Sequence, residues 1–588
     1  MAPFDLNQLF SSAEQCFIAG RFEEAKQQLS NVIRAVPNNP PVLHLSALVE
    51  RRLGNFEASK LHFRSALMAS PNDAKINSNF ANLLGALGQT AEALDHYDRA
   101  LVLAPEFHDA RHNRALLLQQ ICRLDDALQD IDLLERARPS SGAIQSTRAS
   151  ILRDLGRLRD AALAYDKALA AEPQRASALH GRARVALELG EEAAVCFYRR
   201  ALTVDPANPE LLLGLAQALE VVDLQQAITA LAPPVLKNPQ WVEGQAELAR
   251  MKWEAGEGRS FTDMLQQSIA EAPTNSRLWA TYASTLAGAD FFAEAADAVA
   301  SARRHGADDA SLALFEAVYA SEAGQTERAA KVFLALPDGL PGRSIHEARH
   351  RLRIGDYDGA SFALERARND EPQSVQAWAL TGLAWRLTGD ERAEWLNSQP
   401  GLWNTAELGF DPSELREIAD CLIGLHRSRA FPLGQSLRGG TQTRGRLFER
   451  SEPKIVRLRQ RIEEAVSSFW ARLPARDENH PLLRYRDSQP RLGGSWSVKL
   501  DCGGFHVAHC HPKGILSSAV YFIVPEASGN EGWLEIGGPP HELSLPLKAL
   551  DLIEPKPGRL ALFPSYLFHG TLPFSQGQRL TCAFDVVV

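Results

Sequence analysis

Two stretches of the chain, GNFEASKLHFRSALMASP at 54–71 and GQTAEALDHYDRALVLAP at 88–105, follow the same plan 34 residues apart. Each starts with glycine, carries an aromatic residue in its middle and ends with proline. The same spacing relates four columns of residues: Pro37, Pro71, Pro105, Pro139 and Pro173; Gly20, Gly54, Gly88, Gly156 and Gly190; Ala13, Ala47, Ala81, Ala115, Ala149 and Ala183; and Phe63, Tyr97, Ile131 and Tyr165, with Tyr198 after a one-residue deletion. A fixed period of this length predicts a repeat architecture.

The columns describe a helix–turn–helix unit. Small alanines let two antiparallel helices approach closely, glycine permits the turn between them and proline ends the second helix. Cys122 stands at the one turn that lacks its glycine. In period and in these columns each unit resembles a tetratricopeptide repeat. We predict well-formed repeats in 1–208 and degenerate ones in 209–395, about eleven in all, because weaker echoes continue at Pro206, Pro239, Pro273, Pro372, Gly324, Gly355 and Gly389.

A helical solenoid of this kind presents a concave surface that holds extended peptides or partner proteins. We therefore expect a protein or peptide partner on that surface. Asn79 and Asn113 occupy the same position of consecutive repeats. Their side-chain amides are candidates for pairing with the backbone of a bound peptide.

The repeat pattern stops near residue 395, and the composition shifts towards glycine, proline and alternating apolar residues. Residues 396–430 are predicted to be a linker with one capping helix, and 431–588 a separate domain. Within it, 452–472 has helical spacing and predicts a helix packed on the outside of a sheet. From 495 onwards, seven or eight short strands without intervening helices favour an antiparallel jelly roll. The mouth of such a fold is a usual place for a small-molecule site.

Two strand-like stretches of this domain, GFHVAHCHPKGILSSAVYFIVP (504–525) and GRLALFPSYLFHGTLPFSQGQRLTCAFDVVV (558–588), carry a histidine cluster. Alternate side chains of a strand share a face, so His509 and His511 point the same way. His569, on a later strand, can complete a three-ligand metal site with open positions. Arg579, on the strand after that, supplies a fixed cation for an acidic co-substrate. The combination suggests an oxygen-activating iron enzyme.

The same region resembles the Fe(II)- and 2-oxoglutarate-dependent oxygenases of the double-stranded β-helix fold, and among them those appended to bacterial tetratricopeptide proteins. The matching segments are QSLRGGTQT (435–443), GGFHVAHCHPKGILSSAVYF (503–522), PKPGRLALFPSYLFHGTLPF (555–574) and RLTCAFDV (579–586). The resemblance implies Fe(II) held by His509, His511 and His569. It also implies that Arg579 binds the distal carboxylate of 2-oxoglutarate, that Thr581 adds a hydroxyl and that O2 is the second co-substrate.

His511 departs from the commoner pattern of this superfamily, in which a carboxylate two residues after the first histidine completes a two-histidine, one-carboxylate triad. The sequence therefore leaves open whether His511 or His506 is a ligand. His506 faces away from His509 on a regular strand and becomes a candidate only if a bulge intervenes. Three further residues are candidates to line the pocket by position alone: Trp496, Lys499 and Tyr521.

The expected reaction is hydroxylation of a protein or peptide that the solenoid recruits. Two alternatives remain. Three histidines and a water also form the zinc site of a hydrolase, although a hydrolase has no standing need for Arg579. The chain could also be a non-catalytic scaffold with a vestigial jelly roll, against which the intact histidines and Arg579 count.

Composition excludes several other classes. A net charge of −9 and a pI near 6.0 give no support for nucleic acid as a partner, because phosphate binding needs a basic face. No apolar run is long enough to predict a membrane span, and the first residues lack the pattern of a secretory signal. The seven cysteines are scattered singly, which favours a reducing cytoplasm over a disulfide framework or a thiolate zinc site.

Overall fold

The computed structural model describes residues 6–307, 309–426, 428, 430–444, 446–526 and 529–588. The chain divides into two compact units, Met1–Val185 and Ala186–Val588. Helices occupy the chain as far as residue 397, and strands follow. No helix among the described residues is long and apolar enough to cross a membrane.

The helices of the repeat region form consecutive antiparallel pairs. They are α1 (Leu6–Ile18), α2 (Phe22–Ala35), α3 (Pro40–Arg52), α4 (Phe56–Ala69), α5 (Ala74–Ala86), α6 (Thr90–Leu103), α7 (His108–Gln120), α8 (Leu124–Ala137), α9 (Gly142–Asp154), α10 (Leu158–Ala171), α11 (Ala176–Leu189), α12 (Ala194–Val204), α13 (Pro209–Val222), α14 (Leu224–Lys237), α15 (Val242–Glu254), α16 (Asp263–Glu271), α17 (Ser276–Gly288), α18 (Phe292–Arg304), α19 (Ala310–Glu322), α20 (Thr326–Ala335), α21 (Arg343–Arg353), α22 (Tyr357–Asp370), α23 (Val375–Thr388) and α24 (Arg392–Asn397). The described helices thus make twelve pairs, one more than the sequence suggested, because the last pair ends in a helix of only six residues.

The sequence columns have the structural roles that their residue types predict. Ala47 and Ala81 are fully buried where paired helices touch. Gly54 and Gly88 adopt φ values of +80° and +75° at the turn between the helices, a conformation that glycine reaches without steric cost. Cys122 adopts the same left-handed conformation, with φ of 60°, at the turn without glycine.

The asparagines of the first unit lie in a row of inter-repeat contacts. The amide nitrogen of Asn79 lies 2.9 Å from Nε2 of His44. Asn113 donates from its amide to the side-chain oxygen of Asn82, at 3.0 Å. These amides therefore join neighbouring repeats, and a role in binding a peptide backbone stays a prediction.

Nine strands form one curled antiparallel sheet with the topology of a jelly roll. They are β1 (Asn404–Glu407), β2 (Leu437–Gln442), β3 (Arg491–His509), β4 (Leu516–Ile523), β5 (Leu534–Ile536), β6 (Asp551–Ile553), β7 (Arg559–Pro564), β8 (His569–Thr571) and β9 (Arg579–Val587). Their order is β1-β7-β4-β9-β3-β8-β5-β6, and β2 also pairs with β3. The long strand β3 pairs with β9 through its first half and with β8 through its end, which curls the sheet around an interior.

Two helices accompany the sheet, α25 (Pro412–Ile423) and α26 (Pro453–Ala471). The apolar stripe predicted for 452–472 is buried in α26, where Ile455, Leu458 and Ile462 have no exposed surface. The segment 396–430, predicted as a linker with one capping helix, holds α25 and also β1, which pairs with β7. The sequence did not indicate this strand because NTAE is short and polar.

Within the second unit the strand domain packs against the repeats. The Trp253 indole on α15 donates to the backbone oxygen of Phe431, at 2.8 Å. Arg438 on β2 forms an ion pair of 2.7 Å with Asp290, at the turn after α17. The segment that leads into the domain is therefore anchored on the repeats before it enters the sheet.

Candidate metal centre

Three histidines converge where β3 meets β8. His509 ends β3 and lies directly opposite His569, the first residue of β8, while His511 follows two residues after β3. Nε2 of His509 and Nε2 of His511 are 3.1 Å apart. One ring nitrogen from each of the three side chains lies within 4.8 Å of the others. The cluster matches the metal-ligand spacing that a single ion requires.

The three rings are held in one tautomer. Nδ1 of His509 lies 2.9 Å from the backbone oxygen of Val507, and Nδ1 of His569 lies 3.0 Å from that of Leu567. Nδ1 of His511 lies 2.5 Å from a carboxylate oxygen of Asp585. Because these partners are all acceptors, each Nδ1 carries the proton and each Nε2 keeps its lone pair for a ligand.

The electrostatics of the site favour the neutral imidazole at His509 and at His569. Burial, with the neighbouring His511 ring, lowers the pKa of His509 to about 3. Burial also lowers the pKa of His569 well below its ordinary value, and the neighbouring histidines add to the effect. The neutral ring is the form that binds a metal ion, so His509 and His569 need lose no proton to accept one at neutral pH.

His506 lies near the cluster without joining it. The pairing of β3 with β8 shifts register between His506 and His509, so the bulge that the sequence left open is present. The His506 ring is 5.9 Å from the His509 ring, and its residue pairs with Thr571. Among the described residues, the group with metal-ligand geometry consists of the other three histidines.

Arg579 is the first residue of β9, the strand that lies next to β3, and only 2% of its surface is exposed. No carboxylate in the described part of the chain lies within ion-pair distance, and its Nε has no hydrogen-bond partner. Burial lowers the pKa of this guanidinium. Its Cζ lies 5.1 Å from the centre of the Tyr521 ring. A buried cation without a counterion is costly, so the arrangement fits an anionic ligand.

Two further polar groups beside Arg579 and His506 are buried without partners. The Tyr521 and Thr571 hydroxyls make no hydrogen bond of good distance and angle with the described residues, although the Tyr521 hydroxyl lies close enough to Arg579 to interact electrostatically with its guanidinium. Buried polar groups are normally satisfied, so these two atoms also fit a polar ligand in the sheet interior. The three unsatisfied groups together match a carboxylate-bearing co-substrate better than an apolar one.

The other residues that the sequence suggested for the pocket lie on two different faces of the sheet. Thr581 pairs with Val498 and with Tyr521 and shares its face with Arg579. Trp496 lies beside the cluster, with its ring 5.4 Å from that of His511. Lys499 pairs with Leu580 and therefore faces the other side of the sheet, where it lies 3.9 Å from Asp501.

Two residues at the cluster were not singled out from the sequence. Ser436 places its hydroxyl 3.2 Å from Nε2 of His509. The segment 435–443 resembles the oxygenase family, but nothing in it marks Ser436 itself. Asp585 contacts His511, and one signal existed, because Asp585 follows Arg579 by an even number of residues and shares its face of β9.

Comparison with known proteins finds a family match within each part of the chain. The family described as "Putative 2OG-Fe(II) oxygenase" matches residues 494–585. The tetratricopeptide repeat family matches 79–142, 147–209 and 346–393. No curated protein matches the sequence.

The similar solved structures include three repeat or pilus proteins. A tetratricopeptide repeat protein from Parabacteroides merdae is 20% identical, covers 41% of this chain and 97% of its own, and has a TM-score of 0.35. PilW, a type IV pilus biogenesis factor, is 22% identical over 36% of this chain and 98% of its own, with a TM-score of 0.33. PilF of Pseudomonas aeruginosa is 18% identical over 35% of this chain and 94% of its own, with a TM-score of 0.32.

Proposed function

Because the chain carries tetratricopeptide repeats and a C-terminal domain of the 2OG-Fe(II) oxygenase family, we propose that it is a dioxygenase that uses Fe(II), 2-oxoglutarate and O2 to hydroxylate a protein or peptide. The repeats recruit that substrate. His509, His511 and His569 hold the metal, and Arg579 and Thr581 bind the co-substrate.

The observation that carries the proposal is Arg579, which is buried without a carboxylate partner among the described residues, on the strand next to the one that carries His509. The histidines alone would equally suit a zinc hydrolase. A hydrolase gives no reason to bury a guanidinium without a counterion, whereas a dicarboxylate co-substrate supplies one through a charge-assisted, bidentate contact. The same observation disfavours a vestigial site, because a buried cation without a counterion destabilises the fold and a vestigial site would bind no anion to compensate for it.

In the mechanism, bound Fe(II) together with 2-oxoglutarate supplies the activation of O2 and the oxidation of a C–H bond. His509, His511 and His569 would hold the metal ion through their Nε2 atoms. Arg579 fixes the far carboxylate, and the Tyr521 and Thr571 hydroxyls donate to the same ligand. Val498 and Leu500 of β3 pair with Thr581 and Arg579 and share their face of the sheet, and their buried side chains exclude water from the interior.

The approach of a recruited peptide is supported by a cavity of about 480 Å³ on the first helices of three successive repeats. Its lining includes Gln217 on α13, Glu247 on α15 and Ser284 on α17, and it is closed on one side by Gly434. Gly434 is two residues before Ser436, so at most about 7 Å of backbone separates the cavity wall from the residue that contacts His509. A peptide held in this cavity therefore lies beside the metal centre.

The test is an anaerobic titration of the full chain with Fe(II) and 2-oxoglutarate, followed by measurement of succinate after exposure to air. We expect an iron-dependent absorption band that needs both additions, and succinate formation that His569→Ala abolishes. The matched control is His541→Ala, because His541 is exposed and lies outside the cluster. Activity that requires Zn(II) and releases no succinate would replace the proposal with the hydrolase.

The proposed location is the cytoplasm. All seven cysteines are free, and Cys122, Cys196 and Cys502 are exposed. Exposed free thiols suit a reducing compartment. The test is the oxidation state of the cysteines in cells, measured by alkylating the thiols before lysis and then purifying the protein. Disulfides found in that assay would contradict a cytoplasmic location.

A further inference from the structure

We propose that Asp585 is a positioning residue of the metal centre: from β9, and through its contact with the His511 ring, it supplies the carboxylate that the metal-binding triad lacks. This inference rests on the proposed function, because it takes His511 as a ligand. Its basis is the contact of 2.5 Å between a carboxylate oxygen of Asp585 and Nδ1 of His511.

The environment of Asp585 makes this contact specific. The Asp585 side chain is 13% exposed and the His511 side chain 11%, so little water competes for either group. His511 lies outside regular strand, and its backbone nitrogen makes only a long contact of 3.3 Å with the oxygen of Ser565. The carboxylate therefore fixes the Nδ1 edge of this ring, which also contacts the rings of His509 and Trp496.

His509 and His569 differ from His511 in the partner of their Nδ1 atom. Their Nδ1 atoms meet neutral backbone oxygens, those of Val507 and Leu567. Only His511 meets a charged acceptor. A carboxylate behind a metal-binding imidazole raises the basicity of the ring and fixes its tautomer. It also returns one negative charge to a centre whose three direct ligands are neutral.

Binding of Co(II), used as a spectroscopic probe, and of Fe(II) under anaerobic conditions tests the proposal on the full chain. Asp585→Ala is expected to weaken both affinities about 10- to 100-fold and to change the visible spectrum of bound Co(II). Asp585→Asn is expected to weaken them about as much, because its amide can donate to Nδ1 and so move the ring proton to Nε2. The matched control is Asp501→Asn. The Asp501 carboxylate accepts a hydrogen bond from the Gln578 amide at 2.9 Å, away from the three histidines.

The outcomes separate this inference from the proposed function. If the natural chain binds neither metal, the proposed function fails and the inference with it. If the natural chain binds metal and both Asp585 variants bind with the same affinity and spectrum, only the inference fails. Circular dichroism identifies a variant that has not folded, and the affinity of the other variant then decides the matter.

We infer a second site from an independent observation, an oxyanion-binding cavity of about 440 Å³ between the last repeats and the strand domain. Its lining contains three arginines, Arg368, Arg392 and Arg484, and no acidic residue. Arg392 pairs with Asp390. In the described part of the chain, no carboxylate lies within ion-pair distance of Arg368 or Arg484. Arg484 donates to the backbone oxygens of Pro372, Asn479 and His480, so Arg368 is the arginine of this lining without a hydrogen-bond partner of its own among the described residues.

Arg368 is the centre of this cavity. Its guanidinium lies over the rings of Trp378 and Trp385, at 4.9 Å and 5.1 Å, which fixes its position. Its Nε is buried without a hydrogen-bond partner. Asn369 and Asn479 add amide donors to the lining. A rigid guanidinium group with an unsatisfied donor, such as that of Arg368, recognises a phosphate or carboxylate group through charge-assisted hydrogen bonds.

Titration of the metal-free full chain with inorganic phosphate, and separately with succinate, tests this site through tryptophan fluorescence. We expect saturable binding of at least one anion and a loss of affinity of tenfold or more in Arg368→Gln. Arg366→Gln is the matched control on the same helix, since Arg366 lies against Asp338. An unsaturable response to both anions, or equal affinity in Arg368→Gln, would overturn the assignment.

Discussion

Replacing Arg579 by methionine separates a ligand-binding arginine from a structural one. The guanidinium is buried and unpaired among the described residues, so its removal breaks no ion pair. The free energy of unfolding should then stay within about 1 kcal/mol of the natural chain or rise, because an uncompensated buried cation is lost. Binding of 2-oxoglutarate should lose about 2–5 kcal/mol, the usual cost of truncating one partner of a buried charge pair. That loss corresponds to a dissociation constant roughly 30- to 5,000-fold higher.

The assay is calorimetric titration of 2-oxoglutarate into the Fe(II)-loaded chain without oxygen, together with urea unfolding of the same sample. Arg559→Met is the matched control, because Arg559 lies in the same sheet but pairs with Glu407 at 2.9 Å. It should leave the affinity for 2-oxoglutarate unchanged. The reasoning is refuted if Arg579→Met binds 2-oxoglutarate as tightly as the natural chain, or if it loses several kcal/mol of stability.

Three other predictions concern the repeats and their junction with the sheet. Cys122→Gly should stabilise the first unit by about 1 kcal/mol in urea unfolding, because glycine removes the cost of a left-handed φ. Gly156→Ala, at a turn with φ of +75°, should destabilise the first unit by about as much. Destabilisation by Cys122→Gly, or stabilisation by Gly156→Ala, would contradict the account of the turns. Burial lowers the pKa of His480 to about 4, and its Nδ1 accepts from two backbone amides. The unfolded chain therefore takes up the proton first, and about 3 kcal/mol of stability should be lost as pH falls from 6.5 to 4. His480→Gln should show a flatter pH profile by thermal unfolding, and an unchanged profile would contradict this assignment.

The repeat fold was predictable because its signal is local and redundant. Each 34-residue period carries alanine at the helix contact, glycine at the turn and proline after the second helix. The pattern therefore remains recognisable where Cys122 replaces one of the glycines. The strand domain was predictable in class from its alternating segments. Strand β1 was not, since its place in the sheet depends on its pairing with β7 rather than on its own sequence.

The candidate site divides in the same way. Strand alternation and the motif resemblance brought His509, His511 and His569 together before the structure was known. Ser436 and Asp585 could not be assigned from spacing alone, because their contacts arise from tertiary structure: the entry of β2 beside β3 and the adjacency of β9. His506 required the position of a bulge, which depends on how β3 changes partners.

The most direct test of the central claim is the fate of labelled oxygen. In the proposed reaction, oxidative decarboxylation of 2-oxoglutarate places one atom of O2 in succinate and releases CO2. The full chain with Fe(II), 2-oxoglutarate and ¹⁸O2 should therefore yield succinate carrying one ¹⁸O atom by mass spectrometry, and His569→Ala should yield none. Unlabelled succinate, or labelled succinate formed equally by His569→Ala, would contradict an oxygenase centred on the three histidines.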